Sequence, residues 1–183
     1  RDSVRDVDIL IASKEPEAVA DAFVGLAPVK RVLAHGATKC SVVTGEGVQV
    51  DARIVPKEEF GAALLYFTGS KSHNIKLRRL AKRKGLKINE YGIFDKKGRR
   101  LVSATEEEMY RKLGLSFIAP ELREDTGEVE AALKGSLPHL VASGDIRGDF
   151  HAHTSYSDGK NTVLEMAEKA ISLGYEYLCL TDH

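Results

Sequence analysis

Residues 55–70 read Val-Pro-Lys-Glu-Glu-Phe-Gly-Ala-Ala-Leu-Leu-Tyr-Phe-Thr-Gly-Ser, and they separate two differently patterned parts of the chain. Pro56 ends an apolar, β-branched run because proline lacks the amide that a strand interior needs. Helical spacing then predicts a helix over 57–66, which the Gly69-Ser70 pair interrupts. Upstream, the pattern predicts a β-α-β-β-β order, typical of an α+β fold with a mixed or antiparallel sheet, over 7–12, 15–26, 29–34, 39–44 and 48–55. Ser13 is the expected N-cap of the first helix.

Downstream of this stretch the predicted elements are shorter. A second helix, a small hairpin and a helix opened by the capping box at Thr105 are predicted over 72–84, 88–94 with 99–103, and 105–113. The polar stretch 120–142 reads as a linker with one short helix at 128–134. A β-α-β pattern closes the chain over 149–153, 162–173 and 176–180. We therefore expect four segments: 1–56, 57–124, a linker over 125–146, and 147–183.

The composition is that of a globular protein of one domain or two small ones. The 183 residues are 43% hydrophobic and 30% charged. No apolar run is long enough to cross a membrane, and residues 1–5 do not resemble a signal peptide. Cys40 and Cys179 lie far apart in apolar runs, so both are expected to be buried free thiols. Free thiols fit a reducing compartment, and we expect a cytoplasmic protein.

Positive charge is concentrated in the middle of the chain, although the net charge is zero. Between Lys71 and Arg100 there are twelve basic residues, opposed only by Glu90 and Asp95. Such a block is typical either of a solvated helix face or of a surface that binds a polyanion, and the sequence leaves both interpretations open.

Three aspartates lie in predicted strands. Asp6 and Asp8 alternate at the start of the first strand, so both carboxylates face the same side. Asp51 lies between apolar residues in another strand, where an unpaired charge is costly. Convergent carboxylates fit a pair of Mg²⁺ ions that clamp a phosphoryl displacement, although an Asp-x-Asp pair also occurs at ordinary strand ends and turns.

The stretch 55–70, followed by Asn74, Arg78 and the Ile-Asn-Glu-Tyr run at 88–91, resembles the family X DNA polymerases. The similarity is closest to the bacterial and archaeal members that carry a C-terminal PHP domain. It implies a nucleotidyltransferase palm, a small α/β thumb and the first β-α-β unit of a PHP β/α barrel.

The resemblance also implies roles for individual residues in the polymerase part. Asp6, Asp8 and Asp51 would hold the catalytic Mg²⁺ or Mn²⁺ ions. The residues implied at the nucleotide and DNA, among them a Gly-Ser pair that is cis in the family, are Tyr66, Phe67, Gly69, Ser70, Asn74, Arg78, Lys76, Lys82, Arg53 and Glu90.

Two pairs among these residues have more specific implied roles. Asn74 and Arg78 would contact the minor-groove edges of the incoming base and the template, whose acceptors are common to all base pairs. Arg53 and Glu90 would form a pair that responds to thumb closure.

Three positions depart from the family pattern. The Gly-Ser…Arg-Arg segment that binds the triphosphate would precede Arg1. Gln49 stands where some members have a basic residue two positions before the third aspartate. Ile75 replaces a longer polar residue.

Histidines and aspartates cluster at the end of the chain. His151 and His153 alternate on a predicted strand, Asp158 follows in a turn, and Thr-Asp-His ends at His183. Imidazoles and a carboxylate at the carboxyl ends of parallel strands suit Zn²⁺ or Mn²⁺, although His-x-His alone also occurs as a structural pair. These residues resemble the first two PHP motifs, which implies that His151, His153, Asp158 and His183 are metal ligands. Asp182 would support a ligand from behind.

The resemblance implies a fragment of a DNA repair polymerase that fills gaps during base excision repair and has an associated 3′–5′ exonuclease. Its partners would be gapped or primer–template DNA and dNTP, with no membrane and a monomeric full-length protein. The truncated chain itself is expected to be inactive. Two alternatives remain open: a stand-alone PHP metallophosphatase with an unrelated N-terminal module, and a non-catalytic DNA-binding fragment.

Overall fold

A computed structural model of the protein describes residues 6–183, so residues 1–5 of the predicted palm lie outside the described part. The chain divides into two compact units, Arg1–Leu137 and Pro138–His183. Among the described residues, no helix combines the length and the apolar character that crossing a membrane would require.

The first unit begins with a four-stranded sheet and one helix. Their bounds are β1 (Asp6–Ala12), α1 (Pro16–Val24), β2 (Val29–Gly36), β3 (Lys39–Thr44) and β4 (Gln49–Val55). The strand order is β1-β4-β3-β2, in which β1 and β4 are parallel and the other neighbours are antiparallel. The predicted mixed sheet and its β-α-β-β-β order are confirmed.

One face of this sheet forms a small apolar core against α1. Ala20 and Phe23 of α1 pack with buried residues of β3 and β4, namely Cys40, Val42, Ala52 and Ile54. The helix begins at Pro16, whose fixed φ suits a first helical position. The predicted N-cap Ser13 is wrong, because its hydroxyl accepts a hydrogen bond from the Glu15 amide one residue before the helix.

Four helices and a second sheet complete the first unit. They are α2 (Phe60–Thr68), α3 (Lys71–Arg83), β5 (Lys87–Asn89), β6 (Gly92–Phe94), β7 (Arg100–Val102), α4 (Glu106–Lys112) and α5 (Glu128–Lys134). Their core contains Leu65, Leu77, Ile93, Met109 and Tyr110, all almost inaccessible to solvent.

The predicted two-stranded hairpin is wrong, because the stretch 88–94 contains two strands. A turn separates β5 from β6, and the three strands pair as an antiparallel β5-β6-β7 sheet. Gly92 has a φ of 142°, and a Cβ there would lie 2.7 Å from the Val102 carbonyl oxygen. Only glycine suits this close approach, which the alternation of apolar residues did not reveal.

The stretch 125–146, predicted as a linker, is only partly one. The short helix at 128–134 is confirmed as α5, but Val129 and Ala132 are buried in the core of the first unit. The first unit therefore extends to Leu137. Two apolar positions in a seven-residue helix are too few to produce a recognisable period.

The second unit contains one parallel β-α-β unit. Its elements are β8 (Gly148–Ala152), α6 (Val163–Ser172) and β9 (Tyr177–Leu180), with β8 and β9 paired in parallel. Thr162 and Glu165 form a capping box at the start of α6. Cys40 is buried as predicted, but Cys179 is exposed because β9 has a single strand neighbour.

Candidate functional site

The aspartates of the first sheet lie on neighbouring parallel strands. Asp8 on β1 is in register with Asp51 on β4, and Asp6 lies on the same face of β1 two residues earlier. Burial, together with the negative charges of Asp6 and Asp51, raises the pKa of Asp8 above its usual value. A cation bound beside Asp8 would offset the repulsion from these two neighbouring carboxylates.

Asp51 is held by neighbours that the sequence did not single out. Its carboxylate accepts a hydrogen bond from the Gln49 side chain at 3.0 Å, and the Lys39 ammonium lies 3.0 Å away. Although partial burial acts to raise it, hydrogen bonds from Gln49, Lys39 and Ser41 lower the pKa of Asp51. Gln49 stands where some family members have a basic residue. In this chain Lys39, on the neighbouring strand β3, supplies the positive charge beside Asp51.

Among the residues that the structure describes, Asp6, Asp8 and Asp51 do not bring three ligand atoms within 4.8 Å of one another. They share one face of the sheet without closing around a common point. Their donor set fits Mg²⁺ or Mn²⁺, because hard divalent cations prefer carboxylate oxygens.

A pocket between α2, α3 and β5 gathers several of the predicted nucleotide-site residues. Tyr66, Asn74 and Arg78 line it together with Leu77 and Asn89. The Asn74 side-chain amide donates a hydrogen bond to the Tyr66 carbonyl oxygen at 2.7 Å, which closes the chain across the turn between the helices. The ring of Tyr66 is close to perpendicular to that of Phe67, with centroids 5.1 Å apart.

The turn between α2 and α3 has the predicted cis peptide bond, between Gly69 and Ser70. Ser70 is the N-cap of α3, since its hydroxyl accepts a hydrogen bond from the His73 amide at 3.2 Å. The Ser70 amide in turn donates to the Arg123 carbonyl oxygen at 3.0 Å.

Arg53 and Glu90 do not form the expected pair in this structure. The Arg53 guanidinium lies over the ring of Phe67, 5.2 Å from its centroid, and no ion pair to Glu90 is found in the described residues. Arg53, Phe67 and Asp8 line one pocket, so the cation links the aspartate sheet to the end of α2.

The basic block divides into paired and unpaired charges. Lys76 lies 2.7 Å from Asp125 and 2.8 Å from Glu130, and Arg99 and Arg100 also have acidic partners. The exposed charges of α3 with no ion pair in the described part of the chain are Lys71, Arg78, Arg79, Lys82 and Arg83. Lys82 is thus available to a polyanion, whereas Lys76 is held by carboxylates.

The histidine cluster lies at the carboxyl ends of β8 and β9. His153, Asp158 and His183 bring one ligand atom each within 4.8 Å of the others, the one such group among the described residues. His153 Nδ1 is 2.7 Å from Asp158 Oδ1, and this hydrogen bond lowers the pKa of Asp158. His151 is exposed and stacks on His153 with ring centroids 4.9 Å apart, so it adjoins the group without completing it.

Asp182 holds the loop that carries Asp158. Its carboxylate accepts hydrogen bonds from the Thr154 amide, the Thr154 hydroxyl and the Ser157 hydroxyl, each at 2.6 Å. These bonds lower the pKa of Asp182. Gly159 closes the loop, because a Cβ there would lie 2.3 Å from the His153 carbonyl oxygen. The supporting position predicted for Asp182 agrees with these contacts.

Sequence reasoning missed a buried polar network in the first unit. His73 contacts both Glu128 and Tyr110, and the Arg123 guanidinium contacts Glu106 at 2.6 Å. The available signals were weak: a histidine at an inward helical position of α3, and a glutamate beside the apolar residues of α5.

Comparison with known proteins agrees with this architecture. The family model described as DNA polymerase beta thumb matches residues 63–124, and that of the PHP domain matches residues 149–183. The DNA polymerase/3′-5′ exonuclease PolX of Bacillus subtilis is 41% identical over the whole of this chain, which covers 32% of that protein.

Other relatives match shorter stretches of the chain. Human DNA-directed DNA/RNA polymerase mu is 41% identical over 43% of this chain and 16% of its own length. A repair DNA polymerase X of African swine fever virus is 37% identical over 41% of this chain and 44% of its own length. The chain therefore spans about a third of the Bacillus subtilis protein and less than half of these others. Thumb and PHP matches thus occur in this order in a chain that aligns throughout to the PolX of Bacillus subtilis, so the chain is similar to the family X DNA polymerases that carry a PHP domain.

Proposed function

We propose that this chain forms the catalytic sheet and thumb of a DNA polymerase that adds dNTPs to a primer 3′-hydroxyl in gapped DNA during base excision repair. The main support for this proposal is that Asp8 and Asp51 are in register on adjacent parallel strands, with Asp6 on the same face. No other described part of the first unit places three strand carboxylates on one face.

The aspartates would hold two Mg²⁺ or Mn²⁺ ions, which supply charge stabilisation to the transferring phosphoryl group. The lowered pKa of Asp51 keeps its carboxylate ionised and able to hold a cation, and that cation would acidify the primer hydroxyl whose proton this weak base accepts. Lys39 and Gln49 orient this carboxylate by direct contact.

The small depression lined by Tyr66, Asn74 and Arg78 is too shallow to enclose a nucleotide, so the incoming nucleotide and its base pair would lie against these side chains. Asn74 and Arg78 present amide and guanidinium donors, which match the acceptors on the minor-groove edges of all base pairs. The exposed charges of α3, including Lys82, would contact DNA phosphates, with an affinity that falls as salt rises.

The second unit supports a further activity, 3′–5′ exonucleolytic hydrolysis. His153, Asp158 and His183 form a two-imidazole, one-carboxylate donor set that fits Mn²⁺ or Zn²⁺, and His151 lies next to it. A metal held there would supply an activated water for phosphodiester cleavage. A cytoplasmic, monomeric protein remains our proposal, and the two free cysteines agree with a reducing compartment.

The experiment uses a chimera in which this chain replaces the aligned segment of Bacillus subtilis PolX, termed the PolX chimera. We expect Asp51→Asn to abolish gap filling while 3′–5′ degradation continues, and His153→Asn to do the reverse. Asp21→Asn, an exposed aspartate on α1 that pairs with His35, is the control. Gap filling by Asp51→Asn at the control rate would overturn the proposal.

The alternative of a stand-alone metallophosphatase has one specific support, the histidine cluster. It predicts phosphomonoester hydrolysis that is indifferent to DNA, and no steep salt dependence of DNA binding. A DNA affinity that falls when Lys82 and Arg83 are both replaced by Gln would exclude it.

A further inference from the structure

A buried chain of hydrogen bonds lies behind the start of α3. His73 is fully buried, with Nδ1 2.6 Å from Glu128 Oε1 and Nε2 2.9 Å from the Tyr110 hydroxyl. The three residues come from α3, α5 and α4, so the chain of bonds connects all three helices.

The protonation states of His73 and Glu128 define the direction of the hydrogen bonds between His73, Glu128 and Tyr110. Burial lowers the pKa of His73, although the Glu128 carboxylate opposes this, so the imidazole is neutral. Burial acts to raise the pKa of Glu128, but hydrogen bonds from His73 and from the Thr126 and Asp125 amides lower it, so the carboxylate is ionised. His73 therefore donates from Nδ1 to Glu128 and accepts at Nε2 from the Tyr110 hydroxyl.

A second set of hydrogen bonds connects the turn between α2 and α3 to the segment between α4 and α5. The Ser70 amide donates to the Arg123 carbonyl oxygen. Arg123 is itself fully buried: its Nε donates to the Ile118 carbonyl oxygen at 2.9 Å and its Nη1 to Glu106 at 2.6 Å. Its guanidinium lies 5.3 Å from the ring centroid of Tyr110.

Both sets of hydrogen bonds include a residue within four positions of Asn74, which lines the pocket. Asn74 follows His73 directly, lines the pocket, and donates its backbone amide to the Ser70 carbonyl oxygen at 3.0 Å. His73 faces the core while its neighbour faces the pocket. The backbone at Asn74 is therefore held on the core side by His73–Glu128 and at the turn by Ser70–Arg123, while its side chain donates to the Tyr66 carbonyl oxygen.

Stability alone does not account for such a network. A buried ionised carboxylate with a neutral imidazole carries a desolvation cost, and an apolar pair of similar volume often stabilises a core as well or better. Directional hydrogen bonds fix an orientation that apolar packing leaves adjustable. Orientation matters most at a residue that must meet the edge of a base pair.

We propose that His73 and Glu128, with Tyr110, are positioning residues that set Asn74 for contact with the incoming nucleotide. This inference rests on the proposed nucleotidyl transfer, because it assigns the pocket at Asn74 to the dNTP. None of the three side chains touches the substrate; they act through the backbone of α3.

The kinetic test compares Glu128→Gln and Tyr110→Phe in the PolX chimera with two controls. Glu107→Gln makes the same charge change at an exposed position of α4, and Leu113→Val perturbs the same core outside the network. We expect Glu128→Gln to raise the KM for dNTP by about tenfold or more, since small misplacements near a reacting centre cost up to about a hundredfold. Tyr110→Phe is expected to have a smaller effect in the same direction.

A merely structural role predicts that the substitutions change kcat rather than the KM for dNTP. It would lower the active fraction, and with it kcat, in Glu128→Gln and Leu113→Val alike, and leave the KM for dNTP unchanged. That result overturns the proposal.

A second measurement is independent of activity and uses the 183-residue chain. In Glu128→Gln, amide hydrogen exchange at Ser70 and Asn74 is expected to accelerate relative to Ala81, which lies deep in the same helix. Equal acceleration at all three amides would overturn the proposal. If the wild-type chimera inserts no nucleotide, the proposed function fails, while this exchange pattern still decides whether the network positions Asn74.

Discussion

At the scale of single residues, the contact between Asp51 and Lys39 has the clearest chemical consequence. Each carboxylate that must be ionised for the reaction contributes to its acid limit through its pKa. Lys39 reaches Asp51 from the neighbouring strand β3, where Ser41 is the register partner of Asp51 and Lys39 that of Arg53.

Lys39→Met is expected to move the acid limb of the pH–rate profile for gap filling to higher pH. The folded pKa of Asp51 is held below its usual value, so the carboxylate stays ionised as pH falls. Lys39 lowers the pKa values of both Asp51 and Asp8, so its loss raises both, and the rate falls at a higher pH than in the wild type. The profile of the PolX chimera is the measurement, and Lys39→Arg is the matched control. A superimposable Lys39→Met profile would show that Lys39 does not tune Asp51.

Gly159 is the residue on which the histidine cluster depends sterically. Gly159→Ala is expected to weaken Mn²⁺ or Zn²⁺ binding, measured by calorimetry on the chain, because a Cβ would lie 2.3 Å from the His153 carbonyl oxygen. Gly144→Ala, at a position where a Cβ would meet nothing within 4 Å, should leave binding unchanged. Equal metal affinities for the two variants would show that the loop at Gly159 does not determine metal binding by His153, Asp158 and His183.

At the scale of elements, the packing of α2 against the start of α4 shows how tightly the first unit is assembled. Gly61 lies inside α2, where alanine would ordinarily be favoured by about 0.5–1 kcal/mol. Yet a Cβ at this position would lie 2.3 Å from the Thr105 Cα. Sterics therefore outweigh helix propensity here.

Gly61→Ala is expected to lower the free energy of unfolding by roughly 1–3 kcal/mol, the usual cost of overpacking. Urea denaturation of the chain measures this change. Gly45→Ala is the control, because a Cβ at Gly45 would meet no other atom within 4 Å. Stabilisation by Gly61→Ala would mean that α2 and α4 separate easily.

The sequence was most informative where one rule determined an element. Alternation placed β1 and β4 and put Asp6 and Asp8 on one face, and the capping residue Thr105 located the start of α4. It failed where tertiary contacts decide: α5 is buried through two apolar residues and a glutamate paired with His73, and β5 and β6 are divided by a turn at Glu90-Tyr91.

The candidate site was predictable to a similar extent. Motif spacing located Tyr66, Asn74 and Arg78, which share a pocket, and His153, Asp158 and His183, which converge. Lys39 could not be found, because its role depends on the register between β3 and β4. The expected Arg53–Glu90 pair is replaced by the contact of Arg53 with Phe67.

At the scale of the whole molecule, the buried His73–Glu128 pair links stability to pH. The folded pKa of His73 lies below its unfolded value of about 6.5, so only the unfolded state gains a proton as pH first falls through that value. The folded pKa of Glu128 is also depressed. Its contribution to the free energy of unfolding is therefore fully present above the unfolded pKa and is lost as pH falls through the folded pKa. Both groups therefore destabilise the fold on acidification.

Thermal unfolding of the chain is expected to occur at lower temperature as pH falls from about 7.5 to about 5.5, the range in which an unfolded histidine gains its proton. His73→Gln removes that proton-linked contribution and should flatten the dependence. His139→Gln, at an exposed histidine, is the control and should retain the wild-type slope. Identical slopes for the two variants would exclude His73 as the source.

We propose that the carboxylates of β1 and β4 hold the metal ions for nucleotidyl transfer. Single-turnover insertion of a correct dNTP into one-nucleotide gapped DNA by the PolX chimera tests it most directly. We expect Asp51→Asn to lower the insertion rate by about a thousandfold or more, because an interaction of the transition state is lost, and to preserve DNA affinity. An insertion rate within about twofold of the Asp21→Asn control would contradict it.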